Sequence, residues 1–179
     1  MATNPTKVIT GKVRFGYVHV FEPAAVSEGS EDKKYSVSIM IPKKDKATLK
    51  KIEAAIEEAK KQGIETKWGG KAPKTLKTPL RDGDEERDEE CYEGTMFLSA
   101  KSNNKPGVVD QDLNEIISRD EFYSGCYGRA SITFFPFDVN GSKGIACALN
   151  NLQKLEDGER LGGSNASAAE DFGDDDDLD

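Results

Sequence analysis

Residues 125–155 contain two apolar runs that are separated by a short turn sequence with Asn140 and Gly141 at its centre. Asn and Gly tolerate a positive φ angle, so a tight reversal of the chain is favourable at this point. The first run alternates with a period of two, as a strand with one buried face does. The pattern predicts a long β-hairpin, and it constrains the chain to a fold that is built around a sheet.

The two faces of the first predicted strand differ in their chemistry. One face carries small and apolar side chains, at Gly128, Ala130, Ile132 and Phe134. The other face carries a cation, two hydroxyl groups and three rings, at Tyr127, Arg129, Ser131, Thr133, Phe135 and Phe137. Such a mixture can grip a phosphate backbone and stack unpaired bases. Pro136 lacks a backbone donor, which predicts a bulge or a sheet edge at the end of this strand.

Charge is distributed unevenly along the chain, which has 179 residues and a formal net charge of -8. Residues 156–179 hold ten Asp/Glu and one Arg, a net charge of -9, which leaves residues 1–155 at +1. Residues 33–81 hold fourteen Lys/Arg against five Asp/Glu. An evenly acidic protein would repel a polyanion. The separation of charge therefore keeps nucleic acid among the expected partners.

Length and composition predict one domain and a tail. A chain of this length can bury one sizeable core, which we assign to residues 1–155. Residues 156–179 are rich in Gly, Ser and Ala before they become acidic, which predicts a disordered tail. The three cysteines include no CxxC pair, so neither a disulfide framework nor a zinc site is expected. No apolar run approaches 18 residues and no signal-peptide core is present, which predicts a soluble, intracellular protein with no membrane partner.

Further strands and one helix are predicted before the hairpin. Residues 7–21 alternate, and the strict period places Phe15, Tyr17, His19 and Phe21 on one side and Arg14, Gly16, Val18 and Val20 on the other. Residues 35–41 alternate in the same way, as do residues 95–102. Asp45 is the predicted cap of a helix whose apolar stripe is Leu49, Ile52, Ile56 and Ala59 and whose end is Gly63.

The segment 64–81 places five cationic side chains around the single tryptophan, Trp68. Two glycines and two prolines in this segment disfavour regular structure. One interpretation is a mobile cationic loop whose ring clamps a nucleic acid strand. The other is a basic surface loop that Trp68 anchors to the core.

The sequence offers little support for catalysis or metal binding. The single histidine, His19, lies between large rings in a predicted strand, and no GxxxxGK[ST] phosphate loop is present. A Mg²⁺-dependent nuclease that uses the carboxylates of residues 82–90 is the one enzymatic hypothesis, although that segment is better explained as a solvated acidic turn. Residues 110–121 match four positions of a calcium loop but carry Glu115 where its sharp turn needs Gly. We therefore expect no enzyme, metal or cofactor.

The sequence contains the stretches VRFGYVHVFEP, KYSVSIMIPK, LRDGD and YSGCYGRASITFFPFDVNGSKGIACALNNLQKLEDGERLGG, followed by an acidic end. Together these stretches resemble the OB-fold single-stranded-DNA-binding proteins of tailed phages. The resemblance implies a five-stranded Greek-key barrel with an inserted helix. It also implies binding without sequence choice during phage DNA replication or recombination, in the cytoplasm of the infected bacterial host.

The residues and the resemblance both predict a non-enzymatic protein that binds single-stranded DNA. The predicted DNA contacts are Arg14, Tyr17, Lys33, Lys34, Lys67, Trp68, Lys71, Lys74, Lys77, Arg81, Phe97, Lys101, Tyr127, Arg129, Phe135, Phe137 and Lys143. The tail is expected to compete with DNA and to recruit replication or recombination proteins, through Phe172, Asp174, Asp175, Asp176, Asp177 and Asp179. The competing hypothesis is an acidic protein that mimics DNA and occupies the basic site of a host nucleic-acid-binding protein. A monomer and a homodimer are both compatible with the sequence.

Overall fold

The computed structural model describes residues 6–25, 33–71, 73–74, 78–86, 90–139 and 142–161. Eight strands lie among them: β1 Lys7–Ile9, β2 Val13–Ala25, β3 Lys33–Pro42, β4 Arg81–Asp82, β5 Thr95–Ser102, β6 Gly107–Val109, β7 Tyr127–Val139 and β8 Ser142–Glu156. One long helix, α1 Lys46–Thr66, follows β3. A single helical turn, α2 Gly83–Glu86, and a 3₁₀ turn, Glu90–Tyr92, precede β5.

Five of the strands close into a ring. The order around it is β2, β3, β5, β8, β7 and back to β2, with every pairing antiparallel except that of β5 with β8. This is the five-stranded Greek-key barrel of an OB-fold, with α1 inserted between β3 and β5. The fold predicted from the resemblance is therefore confirmed. The remaining strands lengthen the ring at its margins: β1 pairs with β7, β4 with β5 and β6 with β8.

The hairpin β7–β8 has the two faces that its sequence predicts. Gly128, Ala130, Ile132 and Phe134 are buried, while their neighbours in β7 are exposed or half-buried. Pro136 pairs with β8 on one side of β7, and the described pairing on the other side extends only to residue 133. Pro136 therefore lies at a sheet edge, where its lack of an N–H group costs no hydrogen bond between strands.

The strict alternation predicted for β2 is wrong beyond Gly16. Gly16 pairs with Ser38 but His19 pairs with Ser36, so two residues of β2 face one residue of β3. Such a β-bulge shifts every following side chain to the opposite face. As a result Val20 lies in the core beside Phe15, whereas Tyr17 lies on the outside.

The helix α1 begins as predicted but ends later than predicted. Asp45 caps it by accepting a hydrogen bond of 3.2 Å from the Thr48 N–H. Gly63 does not end the helix, which continues to Thr66. A Cβ atom at Gly63 would lie 2.7 Å from the Trp68 ring and 2.8 Å from Pro136. Glycine is therefore needed here for close packing of α1 against β7.

Trp68 is an anchor in the core, so the strand-clamp interpretation is wrong. Its side chain is 4% exposed, and its indole N–H donates to the Phe137 carbonyl oxygen at 3.0 Å. A ring enclosed in this way has no face on which a base could stack.

The folded body extends past the boundary predicted at residue 155. Residues 157–161, here called the C-terminal strap, lie against the barrel. Tyr123 Oη is 3.0 Å from both Asp157 Oδ1 and the Gly158 carbonyl oxygen. Leu161 packs on a small buried cluster formed by Met40, Tyr92 and Phe97. The acidic tail that follows, residues 162–179, lies outside the described residues.

Replacing Trp68 tests its role as an anchor. Trp68→Ala should lower the free energy of unfolding by about 3 to 5 kcal/mol, because it removes a large buried ring. Trp68→Phe retains a ring but leaves the Phe137 carbonyl without its donor, so the loss should be about 1 to 3 kcal/mol. Urea unfolding of the three proteins measures both values. A melting curve unchanged in Trp68→Ala would contradict the anchor role.

Candidate nucleic-acid interface

An open groove of about 780 Å³ runs across the outer face of the barrel. Strands β5 and β8 form most of its floor, while Lys34 of β3, Phe135 of β7 and the segment around Pro79 form its margins. It is lined by Lys34, Pro79, Arg81, Glu86, Phe97, Ser99, Lys101, Ser102, Asn103, Asn104, Phe135, Ala146, Cys147, Ala148, Leu149 and Asn150. Five of the predicted contact residues thus meet here, although they come from four separate strands.

Three cationic side chains give the groove its positive charge. They are Lys34 at the start of β3, Arg81 in β4 and Lys101 in β5. Among the lining residues that the structure describes, one carries a carboxylate, Glu86, which lies 2.9 Å from Arg81 Nη1. The described part of the lining therefore has a net charge of +2, from three cations and one carboxylate.

Phe135 is the aromatic ring that the groove exposes. It is 42% exposed on the outer face of β7, next to the groove residue Ala146 on β8. Phe97 also faces the groove but is 4% exposed. The Tyr92 ring covers it edge to face, with ring centroids 4.9 Å apart. Phe97 is therefore a packed part of the groove floor, and its contact with DNA stays a prediction.

A smaller depression of about 260 Å³ adjoins the groove and shares Ser99 and Lys101 with it. Three hydroxyl groups line it, from Ser36 and Ser38 on β3 and Ser99 on β5. Tyr17 forms its edge and is 52% exposed. Its φ angle is +45°, in the left-handed region, which costs an L-residue about 1 to 2 kcal/mol.

The prediction missed the polar groups of this surface. Ser36, Ser38 and Ser99 alternate with buried apolar residues, so the period of two places them on the same face as the predicted lysines. Asn150 lines the groove and donates to Thr133 Oγ1 at 2.9 Å. These small polar side chains widen the groove while they offer hydrogen bonds to a ligand.

Three predicted contact residues lie away from the groove and serve the barrel itself. Arg14 donates to the carbonyl oxygens of Gly125, at 3.1 Å, and Glu159, at 2.8 Å. Tyr127 lies beneath the Arg14 guanidinium, 5.4 Å from ring centroid to Cζ. Arg129 donates to the Thr10 carbonyl oxygen at 2.9 Å. The two arginines and the tyrosine ring therefore serve to hold neighbouring segments of the barrel together.

The other predicted contacts are dispersed. Lys33, Lys67, Lys71 and Lys74 are exposed, and Phe137 and Lys143 are half-buried, but none of the six lines the groove. Lys77 lies outside the described residues, as do Phe172, Asp174, Asp175, Asp176, Asp177 and Asp179 of the tail.

Two carboxylates of the acidic segment, Asp82 and Asp84, lie against Lys43. The Lys43 ammonium lies 2.7 Å from a carboxylate oxygen of Asp82 and 2.7 Å from one of Asp84. These hydrogen bonds raise the pKa of Lys43 to about 12 and lower the pKa of both carboxyl groups. The described residues include no group of three or more His, Cys, Asp or Glu side chains that could hold a metal ion.

The calcium-loop resemblance of residues 110–121 has a structural explanation. Asp110 Oδ1 accepts hydrogen bonds from the N–H groups of Asp112, at 2.9 Å, and Asn114, at 3.0 Å. Asp and Asn recur in this segment because they shape a tight turn. Within the described ranges, no helix is long and apolar enough to cross a membrane.

The sequence matches a known protein family over residues 6–179. That family is described as the ssDNA-binding protein of Enterobacter phage Enc34. The chain is also 32% identical to a putative protein, p50, of Acyrthosiphon pisum secondary endosymbiont phage 1, over 94% of this chain and 93% of that protein. The predicted resemblance to phage single-stranded-DNA-binding proteins is confirmed.

Solved structures of phage proteins share the fold. The single-stranded DNA-binding protein of bacteriophage Enc34 in complex with ssDNA is 27% identical, with a TM-score of 0.76 over 88% of this chain and 90% of that chain. A C-terminal truncation of that protein has a TM-score of 0.74 at 26% identity, over 87% of this chain and 89% of that chain. The gp2.5 protein of bacteriophage T7 is 16% identical, with a TM-score of 0.62 over 94% and 93% of the two chains, which shows a common fold.

Proposed function

The chain belongs to the Enterobacter phage Enc34 ssDNA-binding protein family, and we propose that it binds single-stranded DNA in the groove on β3, β5 and β8. The observation that carries the proposal is the convergence of three cations and one exposed ring on a single outer face. A single strand needs both, because its phosphates are anionic and its bases are unpaired.

Phosphate contacts come from Lys34, Arg81 and Lys101. Each cation that meets a phosphate releases a condensed counterion, which provides affinity without reading the sequence. The exposed lysines beyond the groove, among them Lys67 and Lys71, attract the strand over a longer range. Salt should therefore weaken binding steeply.

Base contacts come from Phe135 and Tyr17, which border the surface at β7 and β2. Every base presents a π-face, so stacking on these rings tolerates any sequence. The serine and asparagine side chains between them hydrogen-bond the strand as it crosses the sheet. Together these contacts give binding without sequence choice.

The biological role that follows is protection of single strands during phage DNA replication or recombination, in the cytoplasm of the infected host. Family membership supports a binding role without catalysis. Asp82 and Asp84 are already paired with Lys43, so the nuclease hypothesis gains no support from them. The DNA-mimic hypothesis requires an acidic body, whereas the groove lining is cationic.

The acidic tail regulates this groove in our proposal. Residues 162–179 carry seven carboxylate side chains and no Lys or Arg. They follow directly on the C-terminal strap, so a flexible connection would hold them at an effective concentration on the order of millimolar near the body. The tail then competes with DNA for the same cations, and DNA frees it to meet a basic replication or recombination protein.

Oligonucleotide binding tests the electrostatic part of the proposal. Lys101→Ala should weaken binding of oligo(dT) and should reduce the slope of log affinity against log salt by about 0.7, the value for one phosphate contact. Lys51→Ala, an exposed lysine on α1, is the matched control and should leave the slope unchanged. Absence of any binding by the unaltered protein at low salt would refute the function, and cleavage with Mg²⁺ would favour the nuclease.

Phe135→Ala tests stacking. Loss of the ring should weaken oligo(dT) binding by about 1 to 3 kcal/mol, because one stacked base loses its partner. The melting temperature should change little, since the ring is well exposed. Ile117→Ala removes an exposed apolar side chain outside the groove and should leave affinity intact. A Phe135→Ala protein that melts early but binds normally would assign the ring to the core.

A truncation after Leu161 tests the tail, because it removes the acid while it leaves the strap in place. Binding of oligo(dT) should tighten at low salt, and the gain should shrink at physiological salt, where the Debye length is about 8 Å. A full-length variant with Asn or Gln at the seven acidic positions controls for chain length and should behave like the truncation. Equal affinities of all three proteins for oligo(dT) at low salt would show that the tail does not bind in the groove.

A further inference from the structure

Tyr17 occupies an unfavourable backbone conformation at the bulge of β2. Its φ angle of +45° is one that glycine adopts easily and a tyrosine rarely adopts. The bulge places Tyr17 and its neighbour Val18 opposite a single residue of β3. The tyrosine side chain is 52% exposed, so burial in the core does not account for the strained backbone.

Ser124 supplies the hydrogen bond that the bulge requires. A bulge leaves a backbone N–H without its partner in the strand ladder. Here the Val18 N–H donates to Ser124 Oγ at 3.1 Å. Gly125, the residue after Ser124, is also bonded to β2, because its N–H donates to the Phe15 carbonyl oxygen at 2.7 Å.

The C-terminal strap holds Ser124 from its other side. The Leu161 N–H donates to the Ser124 carbonyl oxygen at 2.9 Å. The Leu161 side chain also lies beside Gly16, the residue before the bulge, since Leu161 Cδ1 is 3.6 Å from where a Cβ atom of Gly16 would stand. Ser124 therefore connects the strap to the strand that carries Tyr17.

We propose that Ser124 is a positioning residue, secured by the strap, that holds Tyr17 outward as a preorganised stacking ring for single-stranded DNA. The bulge moves the ring from the inner face of β2 to the depression beside Lys101. A ring already fixed in its binding orientation loses less conformational freedom when a base stacks on it. The inference rests on the proposed function and adds a named residue that sets the geometry of the site.

Two substitutions of Tyr17 test the strained backbone without DNA. Tyr17→Gly and Tyr17→Ala both remove the ring, but only glycine adopts a positive φ angle without strain. Tyr17→Gly should therefore have the higher melting temperature of the two. An equal or lower melting temperature for Tyr17→Gly would overturn the claim that the backbone is strained, whether or not the protein binds DNA.

A double-mutant cycle tests the coupling of Ser124 to Tyr17. Tyr17→Ala should weaken oligo(dT) binding about 5- to 150-fold, the range for loss of one stacked base. Ser124→Ala should weaken it less, and Ser124→Thr, which keeps the hydroxyl, should restore it. In the Tyr17→Ala background, Ser124→Ala should have no further effect on affinity, because the residue it positions is absent.

Ser118→Ala is the matched control, because its hydroxyl also accepts a backbone hydrogen bond, from the Asp120 N–H at 3.1 Å. It lies outside both the groove and the depression and should leave affinity unchanged. Additive effects of the Ser124 and Tyr17 substitutions would overturn the positioning role. Normal affinity of Tyr17→Ala would overturn the stacking role, while the proposed function would stand if the unaltered protein binds. Failure of the unaltered protein to bind would remove both.

Discussion

Closure of five strands into a ring is the constraint on which the rest of the structure depends. A closed barrel has one inside, and the inward side chains of every strand fill it. Outward side chains do not fill the core, so they are available to contact a ligand. The groove lies where the outward residues of β3, β5 and β8 are lysine, serine, alanine and asparagine.

Two local features lie beside that groove and the adjoining depression. At one end Tyr92 covers Phe97, and the Ser38 and Tyr92 hydroxyl groups lie 3.0 Å apart, which joins the covering segment to β3. Beside it, the bulge at Tyr17 brings a ring outward that strict alternation would bury. The C-terminal strap touches both features through Leu161. The C-terminal strap, which precedes the acidic tail in the sequence, is thus part of the support of the proposed binding face.

The sequence predicted the hairpin faces, the helix cap and the fold class, because each depends on local periodicity or on a long resemblance. It failed where a side chain's environment depends on distant segments. Trp68 carries the composition of a nucleic-acid clamp, yet the Phe137 carbonyl and α1 enclose it. Arg14 has the charge of a phosphate ligand but donates to carbonyl groups more than a hundred residues away. A single inserted residue in β2 cannot be located by alternation, because several registers bury comparable apolar side chains.

Ultraviolet cross-linking of the protein to oligo(dT), followed by mass spectrometry of the linked peptides, tests the central claim most directly. If single-stranded DNA lies in the groove and the adjoining depression, the cross-links should fall on Phe135 and Tyr17, the exposed rings that border them. Tyr127, half-buried on another part of the barrel, should remain unmodified. Cross-links confined to Tyr127, with Phe135 and Tyr17 unmodified, would place the DNA on a different surface and contradict the account.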